Sequence, residues 1–320
     1  MRVAITLLRP RRGHRFPGVV QIEATSRCNL SCPACSHAKE ETEGQHLAPD
    51  GLGTVLDALP RRPRQVVLSG IGEPLVNPHF FALVDLLAQR RIGCAFFTNG
   101  TLLRPETRQA ILARDNIRKV AISCDGAREE TFESLRRGAD FRRWKESVGL
   151  FLAEAKQRRR ESLELVANVL VCRQNLVELP DIIRLAAELG FDSVNLLDPI
   201  PVDEIAASMC PTADELGALL DDGLLGLARQ LNFRVDWCLR RPGSPPRSIV
   251  RCVQPWDYVF IRANGAVAPC CAVFGSGQAA VMGNIFQQPF GEIWRGEPYR
   301  EFRRTCASGT NPLCRVCPYY

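Results

Sequence analysis

No stretch of this chain approaches the roughly 18 apolar residues of a membrane-spanning helix. Its opening, Met1-Arg-Val-Ala-Ile-Thr-Leu-Leu-Arg-Pro-Arg-Arg12, has too short an apolar run for a signal peptide, and no small-residue cleavage site follows. No sequence repeat recurs at a fixed period. Aromatic residues make up only 7% of the chain, and none is interleaved with the basic clusters at Arg9–Arg15, Arg61–Arg64 and Lys156–Arg160. Those clusters therefore lack the stacking side chains of a nucleic-acid groove. The net charge of +6 reads as solvated surface, or as a face on which an acidic electron-donor protein docks. The expectation is a cytoplasmic protein with neither a membrane nor a nucleic-acid partner.

Cysteine, by contrast, is abundant, with 14 residues in a chain of 320. Without a secretion signal these thiols point to metal binding in a reducing compartment rather than to disulfides. The remaining composition, 46% hydrophobic and 24% charged, is that of a globular protein with a large core.

From Val19 to Leu197 short apolar runs alternate with longer amphipathic ones, the pattern of repeated βα units. Strands are predicted at Val19–Ala24, Gln65–Ser69, Cys94–Thr98, Lys119–Ser123, Leu163–Leu170 and Ser193–Leu197. Helices are predicted near Gly51–Leu59, Pro78–Arg90, Pro105–Ala113, Arg142–Arg158, Leu179–Leu189 and Ala213–Gln230. Six units are too few for a closed eightfold barrel, so the expected fold is α/β, a partial (β/α)6 parallel barrel. Working groups in such folds project from the carboxyl ends of the strands. Arg240-Arg-Pro-Gly-Ser-Pro-Pro-Arg247 cannot continue a helix or strand and reads as a linker. Beyond it, Asn264-Gly265 is a hairpin turn between two short strands. The expected division is a lead at 1–17, the barrel with its following helix at 18–239, a linker at 240–251 and a small cysteine-rich α+β domain at 252–320.

The run Glu23-Ala-Thr-Ser-Arg-Cys-Asn-Leu-Ser-Cys-Pro-Ala-Cys35 follows the first strand and spaces Cys28, Cys32 and Cys35 as C-x3-C-x2-C. Three thiolates hold three corners of a 4Fe-4S cubane and leave one iron open for chemistry; a zinc knuckle is the plainer alternative. Ser69-Gly-Ile-Gly-Glu-Pro-Leu75 follows the second strand, where glycines let a ligand approach the backbone and Glu73 suits an ammonium group. A simple turn is the competing reading. Thr98-Asn-Gly100 ends the third strand and Ser123-Cys-Asp-Gly126 the fourth.

In order and strand position these segments resemble the radical S-adenosylmethionine (SAM) superfamily. The resemblance implies that Cys28, Cys32 and Cys35 ligate a SAM-binding 4Fe-4S cluster. It further implies that Gly72, Glu73 and Pro74 hold the methionine ammonium, and that Ser123 and Asn168 touch SAM. A turn-forming role for Ser123 and a buried, satisfied amide for Asn168 stay open. Arg136 resembles part of a family Arg-Gly-Gly segment. Ala34 departs from the family, which often has an aromatic residue there, and that puts the adenine contacts in doubt. The tail, Cys252-x12-Gly265-x4-Cys270 with Cys314-x2-Cys317, is similar to SPASM and twitch auxiliary-cluster modules; a zinc ribbon would use four thiolates alike. The resemblance implies one auxiliary 4Fe-4S cluster on Cys252, Cys270, Cys314 and Cys317, with Cys271 and Cys306 left over. Cys94, Cys124 and Cys172 read as small core residues.

The implied activity is that of an oxidoreductase or epimerase in which a 5′-deoxyadenosyl radical takes hydrogen from a small polar substrate. Cys271 is the candidate hydrogen donor, among Cys210, Cys238 and Cys306, and a flavodoxin or ferredoxin is the electron donor. Peptide-maturing members often carry a leader-binding domain before the barrel, whereas here the first strand begins close to the amino terminus, which favours a small substrate; the resemblance to single-auxiliary-cluster members implies an aminoglycoside or aminocyclitol. The alternatives are a peptide- or protein-modifying maturase and a non-catalytic iron–sulfur electron carrier.

Overall fold

The computed structural model describes residues 16–35, 44–158, 162–201, 203–220, 223–238, 252–271, 280–315 and 317. The Arg240–Arg247 linker and most of the amino-terminal lead lie outside these residues. Contacts divide the chain into two units, one built from 30–38 and 97–245, the other from 7–29, 39–96 and 246–320, with residues 1–6 assigned to the first.

In the second unit the strands are β1 (Val19–Ile22), β2 (Gln65–Leu68) and β3 (Gly93–Thr98, which ends at the unit boundary). In the first they are β4 (Ile117–Ser123), β5 (Glu164–Leu170), β6 (Ser193–Leu197) and β7 (Arg234–Cys238). The tail then adds β8 (Tyr258–Ile261), β9 (Ala266–Ala268) and β10 (Gly283–Asn284) to the second unit. β1 pairs in parallel with β2, and β2 with β3; likewise β4, β5, β6 and β7 pair in parallel in chain order. This is the open parallel sheet of a partial barrel, as the alternating runs predict.

β1 has a second parallel neighbour. β8 lies along it with Val19 opposite Tyr258 and Ile22 opposite Ile261, so the cysteine-rich tail extends the same sheet. β9 and β10 follow antiparallel. The turn between β8 and β9 is the one Asn264-Gly265 predicts: Gly265 has φ +82°, which suits a residue without Cβ. β7 is a strand that the periodicity does not reveal. Arg234-Val-Asp-Trp-Cys238 has only a brief alternation, and it becomes a strand by pairing with the exposed side of β6. The predicted helix over Ala213–Gln230 is found as two, Ala213–Leu220 and Gly223–Gln230.

In the first unit the helix Phe141–Gln157 begins at Asp140, whose carboxylate accepts the Arg143 N–H. It buries Trp144 against Phe132, with ring centroids 4.7 Å apart. Gly100, at φ +80°, is needed beside that indole, since a Cβ there would stand 2.7 Å from Trp144 Nε1. Gly190 ends the helix Leu179–Leu189 in the left-handed region, where a residue without Cβ is favoured. Cys94, Cys124 and Cys172 are fully buried in the core. Burial, with Asp125 and Cys210 nearby, pushes the Cys172 thiol up to about 12.

Asn175, also wholly buried, ties the end of β5 together. Its amide donates to Asp125 O and Leu170 O, both at 2.8 Å, and its oxygen accepts the Cys172 N–H at 2.8 Å. Replacing it with alanine strands three buried backbone groups. Asn175→Ala is expected to cost at least about 2 kcal/mol, seen as a lower urea midpoint with an unchanged slope. Iodoacetamide at about pH 8 is expected to leave Cys94, Cys124 and Cys172 unlabelled in the folded chain, as mass spectrometry of its peptides would report.

Candidate functional site

β1 ends in a charge. Glu23 is 1% exposed, and its carboxylate accepts the N–H groups of Ile71 and Ala263, each at 3.1 Å, with Arg262 Nε 3.7 Å away. One buried side chain thereby joins the start of the cysteine run to the loop after β2 and to the end of β8. The next residues are held just as firmly. Thr25 Oγ1 donates to Gln45 O at 2.8 Å and accepts the Arg27 N–H at 3.0 Å. These bonds fix the backbone leading into Cys28.

The Ser69–Leu75 segment lies directly on that backbone. The Glu73 N–H donates to Arg27 O at 2.9 Å. A Cβ on Gly72 would meet Arg27 O at 2.3 Å and Thr25 O at 2.5 Å, so only glycine fits. Glu73 is buried, and its Oε1 accepts the Leu75 N–H at 3.2 Å, capping the short turn Pro74–Val76. Asn77 finishes the junction by donating to Ala24 O at 2.7 Å and Leu47 O at 2.9 Å. Gly72 and Glu73 thus lie against Thr25 and Arg27, just before Cys28, and Pro74 follows them in the capped turn.

Residues 30–35 belong to the other unit. Ser31 donates its N–H to Arg137 O at 3.0 Å, and Ala34 packs on the cluster of Leu135, Cys172 and Met209. Arg136 Nη1 lies 3.9 Å from Cys32 Sγ, while its Nε is ion-paired with Asp125. Burial raises the Cys32 thiol above its ordinary value, and the Arg136 guanidinium offsets part of that rise. Ser123 ends β4 opposite Asn168 on β5. The Asn168 side-chain oxygen accepts from Asn195 at 2.9 Å, so the amide has a protein partner on β6. Thr98 and Asn99 turn the chain after β3, accepting the N–H groups of Gly100 and Thr101.

In the tail, Cys252 and Cys306 are in hydrogen-bond contact, and Cys306 also bonds Cys314 and feels Cys317. The contact with Cys252 lowers the Cys306 thiol, but the bond to Cys314 and burial push it up to about 12. Cys306, left over in the sequence reading, is therefore gathered with Cys252, Cys314 and Cys317. Its signal is its place in the last turn of the helix Glu297–Ser308, ahead of the terminal pair. Cys271 bonds the Tyr258 hydroxyl, and Cys270 acts on the Tyr258 and Tyr299 hydroxyls. The Tyr258 hydroxyl also donates to Gln21 Oε1, whose amide donates to Ser69 O at 2.8 Å. Among the described residues no three His, Cys, Asp or Glu side chains gather tightly enough to hold a single ion. A cubane does not ask for that, since each thiolate takes a different iron.

An open strand end with a thiol loop, a glycine-lined acidic turn laid on it and a thiol-rich tail define an iron–sulfur α/β enzyme fold. Comparison makes the assignment specific. The model of the radical SAM superfamily matches residues 22–186, and that of the SPASM iron-sulfur cluster-binding domain matches residues 252–318. The chain belongs to the radical SAM superfamily, as a SPASM-type member, with SAM and iron–sulfur clusters as its cofactors.

An AdoMet-dependent heme synthase of Methanosarcina barkeri is 24% identical over 95% of this chain and 89% of its own length. The mycofactocin maturase MftC of Mycobacterium ulcerans is 27% identical over 93% and 79%. Among solved structures, Streptococcus suis SuiB bound to precursor peptide SuiA shares the fold, with a TM-score of 0.70 and 17% identity over 95% of this chain and 70% of that one.

The residues present fit these cofactors. The donor set at the first loop is thiols alone, and one of them, Cys32, lies against the Arg136 guanidinium. Among the described residues no helix is long and apolar enough to cross a membrane. Gly72→Ala is expected to force Arg27 and Thr25 apart and destabilise the fold by about 1–3 kcal/mol. Reconstituted G72A should also show weaker SAM binding by equilibrium dialysis.

Proposed function

We propose that this chain modifies a peptide by radical SAM chemistry. The observation that supports the reading is a match over 95% of this chain to a PqqA peptide cyclase of Bradyrhizobium diazoefficiens, together with a fold shared with Streptococcus suis SuiB, solved bound to precursor peptide SuiA. The expectation of an aminoglycoside or aminocyclitol substrate has less behind it, because it rests on where the first strand starts and on analogy with single-auxiliary-cluster members. On accepting one electron from the cluster, SAM held there would release methionine and supply a 5′-deoxyadenosyl radical able to take a hydrogen atom from carbon.

Cys28, Cys32 and Cys35 ligate the SAM cluster in this reading. Glu73 accepts from the methionine ammonium, Gly72 lets the turn sit against Thr25 and Arg27, and Pro74 opens the short turn that Glu73 caps. Ser123 and Asn168 contact the rest of SAM, with Asn195 orienting the Asn168 amide. In the tail, Cys252, Cys314 and Cys317 ligate one auxiliary cluster with Cys270 or Cys306 as the fourth thiolate. Cys271 is the hydrogen donor if the outcome is epimerisation. A flavodoxin or ferredoxin in the cytoplasm delivers the electron.

Anaerobic reconstitution with iron, sulfide, SAM and dithionite tests the enzyme reading. 5′-Deoxyadenosine is expected from the wild type and none from Cys28→Ala, Cys32→Ala or Cys35→Ala. An electron carrier or a zinc protein would form none at all. Incubation with candidate precursor peptides in deuterated buffer then separates the outcomes by mass. A two-hydrogen loss marks oxidation or cross-linking, and deuterium gained at carbon marks epimerisation through a thiol. Turnover of an aminocyclitol but of no peptide would overturn the peptide reading.

A further inference from the structure

The Asp125–Arg136 pair is built more rigidly than a surface ion pair. Asp125 is 1% exposed, its Oδ1 accepts the Leu170 N–H at 2.7 Å, and its carbonyl accepts from Asn175 at 2.8 Å. Asp125 therefore cannot move without breaking bonds inside the core. Arg136 follows the helix Glu129–Leu135, and its N–H donates to Phe132 O at 2.8 Å. With its backbone fixed and its Nε on Asp125, the guanidinium has its Nη1 end 3.9 Å from Cys32 Sγ. That is the geometry of a charge-assisted contact to sulfur, with the carboxylate on the far side of the cation. Burial works against the Arg136 charge, but Asp125, Cys32 and Cys35 outweigh it.

We propose that Arg136 is a positioning residue which, clamped by Asp125, donates to the Cys32 sulfur and raises the reduction potential of the cluster held there. The inference rests on the reading of Cys32 as a cluster ligand. Reduction adds negative charge to an iron–sulfur centre, so a fixed cation on a ligand sulfur favours the reduced form. A protein that must be reduced at low potential gains from such a contact, because its donor then has less far to drive it. The contact reaches Cys32 from residues 30–38 and 97–245 alone, within one unit.

The test is an EPR-monitored redox titration of the reconstituted full chain, before SAM is added. Arg136→Gln, which keeps a hydrogen bond to Asp125 but loses the charge, should lower the reduced-to-oxidised ratio about tenfold at fixed potential, a shift of about 59 mV for one electron. Arg136→Lys, which keeps the charge, should lose less than half as much on a logarithmic scale. Asp125→Asn, which removes the countercharge and keeps an oxygen for Leu170, should move the ratio the other way. A merely structural role predicts no such opposition of sign. An unchanged ratio in Arg136→Gln, equal shifts in the Gln and Lys variants, or weaker SAM affinity at unaltered potential would each overturn the proposal. If Arg136→Gln fails to load iron, Asp125→Asn decides alone, and a fall or no change there overturns it. A wild-type chain that assembles no cluster on Cys32 sinks the underlying reading instead, an outcome that iron and sulfide content reports separately.

Discussion

The carboxylate of Glu23 is the point on which the second unit turns. It sits in the sheet interior at the end of β1 and is neutralised by Ile71 N–H, Ala263 N–H and Arg262. A buried carboxylate is costly unless its oxygens are satisfied. The two segments that satisfy it, the glycine turn and the end of the tail strand, are therefore obliged to meet the cysteine run that carries it. The close fit of Gly72 on Arg27 and the capping of Leu75 by Glu73 follow from that placement.

Much of this was legible in the sequence because parallel strands buried on both faces read as continuous apolar runs. Ser193–Leu197 and the helix Leu179–Leu189 were located to the residue, and the other barrel strands within two. β7 was missed because a short strand on the margin of a sheet takes its shape from its neighbour rather than from its own pattern. Glu23 was legible only as part of a motif. Its clue was a lone charge at the end of an apolar run, but the N–H groups that satisfy it are 48 and 240 residues away. Cys306 was set aside because spacing alone groups Cys314 with Cys317, whereas the helix Glu297–Ser308 carries Cys306 back to them in space.

The substrate is where sequence reasoning and comparison part. Radical SAM chemistry is common to the superfamily to which the chain belongs. Which carbon is attacked depends on loops and surfaces that carry no motif. The match to relatives named as maturases bears on that question, and the position of the first strand does not. A heme synthase among the relatives fits the same principle: one scaffold, several substrates.

The parallel pairing of β8 with β1 has a consequence for how the chain can be divided. With β8 in place, β1 is an interior strand whose backbone is bonded on both sides, to Gln65–Leu68 and to Tyr258–Ile261. A fragment cut at the Arg240–Arg247 segment would turn β1 into an unprotected margin of Val, Val, Gln and Ile, a template for association with other chains. The carboxyl-terminal module thus acts as a seal on the catalytic sheet, and expressing the amino-terminal part without it invites aggregation rather than a simpler enzyme.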